Sequence, residues 1–179
     1  TGVHLLMALD AAAELCPGNA SVVFAVLLHD LGKGITPEHK WPSHVGHEAS
    51  GVPLVDGVCK RLKTPNAMHD LARKVCWRHL DCHRILQARP ATVLRLLERL
   101  DVFRQAELLG DFINACEADY GGRKGLESRS YPQGEYLQRS YQAAADIRAR
   151  DLDLAGVNGP EVGEMLRKAR TEAIARIKR

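Results

Sequence analysis

The stretch Val22-Val23-Phe24-Ala25-Val26-Leu27-Leu28-His29-Asp30-Leu31-Gly32-Lys33-Gly34 joins an uninterrupted apolar run to an adjacent histidine and aspartate. The apolar run predicts a helix buried on nearly every side, so His29 and Asp30 at its end need polar partners. Because adjacent helical residues point about 100° apart, the two can share one ion only where the helix unwinds. We expect Gly32 and Gly34 to end the helix there in left-handed conformations.

The stretch therefore predicts a metal site at the end of a buried helix. Lys33 would lie beside the ion, where its ammonium group could hold an anionic substrate. The residues alone also allow a simpler interpretation. In that case His29 caps the helix dipole by chance and Lys33 is solvated.

Composition favours a single all-helical domain. The chain has 179 residues, enough for a full hydrophobic core, and 45% of them are hydrophobic while only 5% are aromatic. The net charge of +3 permits contact with nucleic acid without requiring it. The five cysteines show no short paired spacing and are expected to be reduced core residues.

The sequence contains no membrane or secretion signal. No apolar segment reaches the roughly 18 residues of a membrane-spanning helix, and the N-terminus does not resemble a signal peptide. We therefore expect a cytoplasmic protein with no membrane partner. The chain opens with Thr1-Gly2-Val3 and has no initial methionine, which suggests a fragment of a longer protein.

Hydrophobic periodicity predicts a bundle of helices with short connections. Asn19 or Ser21 is expected to cap the second helix, which runs to His29-Asp30, and Ser43 to cap the third, which begins at His44. The remaining helices are predicted over residues 4–15, 67–83, 91–105, 106–120, 133–150 and 160–179. Residues 121–132 lack periodicity and are interpreted as a loop or subdomain boundary.

Four separated segments carry histidine or aspartate where an apolar face is expected. They contain His4, His29-Asp30, the pair His44 and His47, and Asp101. Asp101 follows Leu97 by four residues, so it should turn a carboxylate onto the buried stripe of its helix, where a cation must be near. The alternative partner is an arginine: Arg78, Arg95 or Arg104. Asp119, near Cys116 on the next helix, is a second candidate for the same position.

Imidazole and carboxylate ligands without thiolates favour a divalent ion such as manganese, nickel, cobalt, iron or magnesium over structural zinc. An ion of this kind activates water and neutralises a phosphoryl oxygen, so phosphoester hydrolysis is the expected chemistry. His44, His47 and His79 could hold a second ion, orient water or protonate a leaving oxygen. For His79 and His83 the alternative is a solvated position or stacking on Trp77.

The C-terminal segment is basic. From Pro160 onward it carries six basic residues against three acidic ones, and Arg167, Lys168 and Arg170 are the candidates for contact with an RNA backbone. The glycines before Pro160 lead into a helix whose N-terminal amides could receive a phosphate. A solvated terminal helix would have the same composition.

The order of His4, His29-Asp30 and a distal aspartate resembles the HD-domain phosphohydrolases. Five segments also resemble, in order, the C-terminal part of the bacterial multifunctional CCA proteins, a family of tRNA nucleotidyltransferases. They are Thr1-Gly2-Val3-His4, Leu28-His29-Asp30-Leu31-Gly32-Lys33, Gly46-His47-Glu48-Ala49-Ser50-Gly51, Ala118-Asp119-Tyr120-Gly121-Gly122-Arg123 and Gly156-Val157-Asn158-Gly159-Pro160-Glu161-Val162-Gly163.

This resemblance implies an all-α HD domain over residues 1–120 and a helical, tRNA-binding tail over residues 121–179. It implies 2′,3′-cyclic phosphodiesterase, 2′-nucleotidase and phosphatase activity on small nucleotide phosphates and tRNA 3′ ends. The metal ligands carried over are His4, His29, Asp30 and Asp101, with Lys33 near the phosphate and nickel, manganese or magnesium as the ion.

The resemblance also limits what the chain is expected to do. The nucleotidyltransferase head of the family is absent, so we do not expect nucleotide addition from this chain alone. The competing hypothesis is a non-catalytic helical module that docks tRNA. The sequence leaves open whether the chain forms a homodimer.

Overall fold

The computed structural model describes residues 2–125, 129–153 and 158–177, and in them it contains α-helices and short 3-10 helices but no strand. The predicted all-α class is therefore confirmed. The helices are α1 (Gly2–Leu15), α2 (Ala20–Leu28), α3 (His47–Leu62), α4 (Asn66–His83), α5 (Pro90–Arg99), α6 (Glu107–Gly121), α7 (Pro132–Ala145) and α8 (Gly159–Ala175). The 3-10 helices are Leu31–Ile35, Glu38–Lys40, Ile85–Gln87 and Ala149–Asp151.

Helix α2 forms the centre of the part of the fold that carries the histidines. Its Val22, Ala25, Val26 and Leu28 are buried, as the apolar run predicts. The Asn19 side chain accepts a hydrogen bond from the Val22 amide at 3.2 Å, so Asn19 rather than Ser21 caps the helix.

The chain after α2 differs from the expectation based on glycine. Gly32 and Gly34 do not have positive φ, and the chain continues as the 3-10 helix Leu31–Ile35. Gly32 is needed for a different reason, because a Cβ there would lie 1.9 Å from the backbone oxygen of His47. The missing side chain thus lets the segment that carries Asp30 pack directly against α3.

Several helices also begin or end at residues other than those that the hydrophobic periodicity predicts. Helix α3 begins at His47 rather than His44, since positive φ values at His44 (49°) and Gly46 (87°) keep the preceding residues in a turn. It continues through Pro53. Helices α5, α7 and α8 end earlier than predicted, at Arg99, Ala145 and Ala175. For α5, periodicity overestimates the length because the turn that follows the helix also buries the apolar side chains of Leu100 and Val102.

Contacts divide the chain into two compact units that alternate along the sequence. The first comprises Thr1–His83 and Gly110–Tyr131, and the second comprises Arg84–Leu109 and Pro132–Arg179. The first unit contains α1 to α4 and most of α6, whereas the second contains α5, α7 and α8. This arrangement differs from the sequence-based division after residue 120.

Candidate metal centre

Side chains from five parts of the first unit converge on one buried cluster. They come from α1, the end of α2, α3, α4 and α6. Three overlapping groups have ligand atoms within 4.8 Å of one another: His4 with His29 and Asp30, His29 with His79 and Asp119, and Asp30 with His47 and His79.

Asp119 is one of the two carboxylates of the cluster. Its Oδ1 lies 2.9 Å from His4 Nε2 and 3.4 Å from His29 Nε2, and its Oδ2 lies 2.6 Å from His83 Nε2. The side chain is only 3% exposed. A carboxylate this deeply buried is stable only beside positive charge.

Asp30 is the second carboxylate. Its Oδ2 lies 3.2 Å from His29 Nε2, while its Oδ1 lies 3.1 Å from His47 Nε2 and 3.8 Å from His79 Nε2. The Lys33 ammonium forms an ion pair with Oδ2. The predicted neighbours His29, Asp30 and Lys33 are therefore together at the end of α2.

Four of the histidines around the carboxylates share one orientation. Each has its Nδ1 within hydrogen-bonding distance of a backbone carbonyl: His4 with Gly122 (3.0 Å), His29 with Val26 (2.7 Å), His47 with His44 (2.9 Å) and His79 with Val75 (3.1 Å). With Nδ1–H as the donor, Nε2 carries a lone pair directed at the carboxylates. Histidines that bind metals are commonly fixed in this way.

Three atoms of the cluster are buried without a hydrogen-bond partner: His29 Nε2, His47 Nε2 and Asp30 Oδ1. Both histidine nitrogens lie within ion-pair distance of the Asp30 carboxylate, but neither is aligned with it for a hydrogen bond. Lone pairs that converge in a dry site repel one another unless a cation or protons lie between them. The nitrogen and oxygen donors fit a divalent metal ion of borderline or hard character.

The pKa values express the same requirement for positive charge. Burial acts to lower the pKa of His29, but the carboxylates of Asp119 and Asp30 raise it to about 10. Burial also opposes the charge of His47, yet Asp30 raises its pKa. Contacts with histidines lower the pKa of both carboxyl groups against the effect of burial, from His29 and His47 to Asp30 and from His29, His4 and His83 to Asp119. Without a metal, protons on the histidines balance the carboxylates.

The pKa of His79 is lowered, in contrast to those of His29 and His47. Burial and repulsion from His29 lower its pKa to about 3, so it remains neutral. It is 1% exposed, which excludes the alternative that it is solvated. The guanidinium group of Arg78 lies over the Trp77 ring, at 3.6 Å from the ring centroid.

Asp101 is not part of the cluster. Because α5 ends at Arg99, Asp101 lies in a turn with φ 59° instead of on the buried stripe of a helix. Its side chain is 36% exposed; its Oδ2 accepts a hydrogen bond from Gln105 at 3.2 Å and lies 3.8 Å from Arg104. Of the two aspartates that the sequence left open as the distal ligand, the structure brings Asp119 to the histidines.

The sequence did not reveal that His83 and Tyr131 support Asp119. His83 hydrogen-bonds Asp119 through Nε2 and lies 2.9 Å from the Tyr131 hydroxyl through Nδ1. Tyr131 in turn donates to Cys82 Sγ at 3.4 Å. The spacing of four residues between His79 and His83 places both on one face of α4, and this signal could have revealed the role of His83.

His44 lies at the edge of the cluster. It occupies the turn before α3 and orients His47 through its carbonyl. It also borders a cleft of about 500 Å³ that opens from the cluster. The cleft is lined by Gly2, His4, Leu5, Leu27, His29, Asp30, Leu31, Lys33, Gly34, Trp41 and His44.

The candidate RNA-binding residues lie on α8 in the second unit. Arg167 pairs with Glu98 at 3.0 Å, and the guanidinium of Arg170 packs on the Phe103 ring and donates to the Ile147 carbonyl. Lys168 is exposed. Asn158 caps α8 by accepting a hydrogen bond from the Glu161 amide, while Lys178, Arg179, Gly156 and Val157 lie outside the described residues.

Comparisons with known proteins place the chain. The family model of the HD domain matches residues 1–155. A Multifunctional CCA protein of Stenotrophomonas maltophilia strain K279a is 50% identical over 98% of this chain and 43% of its own length. Those of Xanthomonas euvesicatoria and Alkalilimnicola ehrlichii are 48% and 47% identical over 100% of this chain, and 44% and 43% of their own lengths.

The chain thus spans less than half of the length of these relatives. No solved structure matches it. Among the described helices, none has the length and apolar character needed to cross a membrane. The match to the HD model over residues 1–155 confirms the resemblance seen in the sequence, and the chain belongs to the HD-domain family.

Proposed function

We propose that this chain is a metal-dependent phosphohydrolase that acts on nucleotide phosphates and on the 3′ ends of RNA. The proposed reactions are hydrolysis of 2′,3′-cyclic phosphodiesters, of 2′-nucleotides and of simple phosphomonoesters. The observation that carries the proposal is the set of buried nitrogen and oxygen lone pairs at His29, His47 and Asp30 that converge without hydrogen-bond partners.

His4, His29, Asp30 and Asp119 are the proposed ligands of one ion. The ligand atoms of His4, His29 and Asp30 converge, and Asp119 Oδ1 lies 2.9 Å from His4 Nε2 and 3.4 Å from His29 Nε2. His47 and His79 face the other oxygen of Asp30 and could serve a second ion or hold a water molecule. A bound divalent ion would supply activation of water and neutralisation of phosphoryl charge. Nickel, manganese and magnesium all suit such donors.

Lys33 is proposed to hold the substrate phosphate. Its side chain lines the cleft, is 26% exposed and is anchored by Asp30. A cation fixed beside the reacting phosphorus stabilises the charge that develops on the phosphoryl oxygens. Hydrolysis joins the oxygen of water to phosphorus, breaks one ribose oxygen–phosphorus bond and leaves the proton on the released ribose hydroxyl.

The proposed macromolecular partner is tRNA, by analogy with the relatives named Multifunctional CCA protein. The exposed Lys168 on α8 supports contact with an RNA backbone. Only phosphoester hydrolysis is assigned to this chain, because it spans less than half of those relatives.

The test measures hydrolysis of 2′,3′-cyclic AMP and of p-nitrophenyl phosphate with nickel, manganese or magnesium. His29→Ala and Asp30→Asn are expected to stay helical by circular dichroism and to lose at least about 100-fold in kcat/KM, since each removes a ligand. His69→Ala is the matched control, because His69 pairs with Asp56 outside the cluster.

Full activity of folded His29→Ala would contradict the proposal. A wild-type chain that is inert with every metal yet binds tRNA in a salt-dependent manner would favour the non-catalytic docking module instead.

A further inference from the structure

Two clefts of different character meet at His4 and Lys33. The first, of about 500 Å³, has the apolar walls Leu5 and Leu27 and the exposed ring of Trp41. The second, of about 360 Å³, is cationic. Among the described residues, its lining contains no acidic side chain and consists of Val3, His4, Met7, Lys33, Gly122, Arg123 and Lys124.

Close packing holds the cationic residues beside the proposed metal ligand His4. A Cβ on Gly122 would lie 2.7 Å from backbone and side-chain atoms of Ala8, so the end of α6 touches α1 only because glycine is present. The Gly122 carbonyl accepts a hydrogen bond from His4 Nδ1 at 3.0 Å. Arg123 and Lys124 directly follow Gly122, so their backbone is held next to His4.

Arg123 is available to a ligand. Its Nη2 lies 3.7 Å from Asp119 Oδ2, beyond hydrogen-bonding distance, and its side chain is 45% exposed. A guanidinium carries five N–H donors, so most of them are free of this contact. Lys124 is exposed beside it. Lys33 and Arg123 also face carboxylates outside the lining, so the positive charge that the second cleft offers comes from Lys124 and from the guanidinium donors of Arg123 that do not face Asp119.

We propose that one RNA strand end lies across both clefts. The base of the 3′-terminal nucleotide stacks on Trp41 in the first cleft, and its terminal phosphoester lies at His29 and Asp30. The phosphodiester on its 5′ side binds Arg123 and Lys124 in the second cleft. The inference rests on the proposed function and deepens it, because it makes a polynucleotide end the preferred substrate over a mononucleotide.

Charge and shape both favour this substrate. A cyclic mononucleotide has a single phosphate, which the reacting centre takes, so it leaves the second cleft unfilled. A strand end carries a further phosphate on the opposite side of the same ribose, and this is the group that a cationic cleft beside the centre can bind. An exposed tryptophan next to apolar walls is a stacking platform that tolerates any base.

The test compares kcat/KM for 2′,3′-cyclic AMP with kcat/KM for an RNA tetranucleotide that ends in a 2′,3′-cyclic adenosine phosphate. The wild-type chain is expected to prefer the tetranucleotide at least 10-fold at low salt. The double variant Arg123→Ala/Lys124→Ala should lower this preference at least 10-fold. For the tetranucleotide, the double variant should also reduce the slope of log KM against log salt concentration by about 1.4, which is about 0.7 for each lost contact to a phosphate of a single strand.

The matched control is Lys60→Ala/Arg61→Ala, which removes the same charge from exposed positions at the end of α3, away from both clefts. It should keep the preference within about twofold. Trp41→Ala should raise KM for both substrates about 10-fold, and Trp41→Phe should restore most of the affinity because the ring is retained.

A second readout does not depend on turnover. Binding of a 3′-phosphorylated DNA tetranucleotide, followed by fluorescence anisotropy without metal, should weaken at least 10-fold in the Arg123→Ala/Lys124→Ala chain and remain unchanged in the control. Equal binding by all three proteins, or an unchanged substrate preference, would overturn the inference while leaving the hydrolase proposal intact. Normal binding without turnover in the wild type would instead refute the hydrolase proposal alone.

Discussion

Substitution of Asp119 by asparagine tests the most specific feature of the cluster. The change preserves size but removes a buried negative charge that faces His4 Nε2 at 2.9 Å and His29 Nε2 at 3.4 Å. In the metal-free protein His29 is protonated at neutral pH, since its pKa is raised to about 10. Coulomb attraction across 3.4 Å at an effective dielectric constant near 20 is about 5 kcal/mol.

Desolvation of both groups offsets part of this attraction. Removing one partner of a buried ion pair generally costs about 3–5 kcal/mol, and we expect Asp119→Asn to lower the free energy of unfolding by this amount in EDTA. The effect should be larger with metal. An ion at 100 times its dissociation constant stabilises a folded chain by about 2.7 kcal/mol, or about 5–11 °C in Tm for a chain of this size.

A 100-fold weaker affinity at the same metal concentration would leave less than about 0.5 kcal/mol of that stabilisation in the Asp119→Asn protein. The assay is urea unfolding followed by circular dichroism, in EDTA and with manganese. Asp101→Asn is the control, because the Asp101 side chain is 36% exposed and lies in a turn where asparagine tolerates the positive φ of 59°. It should change stability by less than about 0.5 kcal/mol and keep the metal effect. If Asp101→Asn lost more stability and more of the metal effect than Asp119→Asn, the assignment of Asp119 as a metal ligand would be refuted.

Three further outcomes are expected. Gly32→Ala should lower the free energy of unfolding in urea by about 1–3 kcal/mol or more, because the added Cβ would lie 1.9 Å from a backbone oxygen of α3. Gly34→Ala is the control, because a Cβ at Gly34 would have no neighbouring atom within 4 Å, and it should leave the stability unchanged. Tyr131→Phe removes the hydroxyl that orients His83, so metal affinity measured by calorimetry should fall about 10-fold with helicity unchanged; an unaltered affinity would show that the hydroxyl is dispensable. In EDTA the free energy of unfolding should fall as the pH rises from about 6.5 toward 10, since the folded chain binds the proton of His29 more tightly than the unfolded chain; a flat profile over this pH range in urea titrations would contradict the raised pKa.

Local features of the sequence were enough to predict most of the helices. The apolar run of α2 and its N-terminal cap depend on neighbours along the chain. The buried run is confirmed, and of the two predicted caps, Asn19 and Ser21, the structure has Asn19. The ends of helices were predicted less well. Helix α3 begins later than expected because backbone torsions at His44 and Gly46, rather than the capping preference of Ser43, decide where it starts.

The distal aspartate shows why the site could be predicted only in part. Helical spacing placed Asp101 on a buried stripe, but that argument required α5 to extend through it, and α5 ends at Arg99. The sequence offered Asp119 only as a second candidate, and Asp101 was the predicted ligand. The choice between them depends on which helix packs against α1 and α2, and contact between residues more than 100 positions apart, such as His4 and Gly122, leaves no periodic signal.

The sequence by itself determined the all-α class, the buried helix that ends in His29-Asp30 and the kinship with HD domains, because helix propensity, apolar periodicity and an adjacent His-Asp pair are local properties of the chain. The tertiary structure alone decided that Asp119 rather than Asp101 meets the histidines, that His83 and Tyr131 support it, and that Arg123 and Lys124 border the cluster. These features arise from the packing of α1, α4 and α6, which depends on close approaches such as that of Gly122 to Ala8.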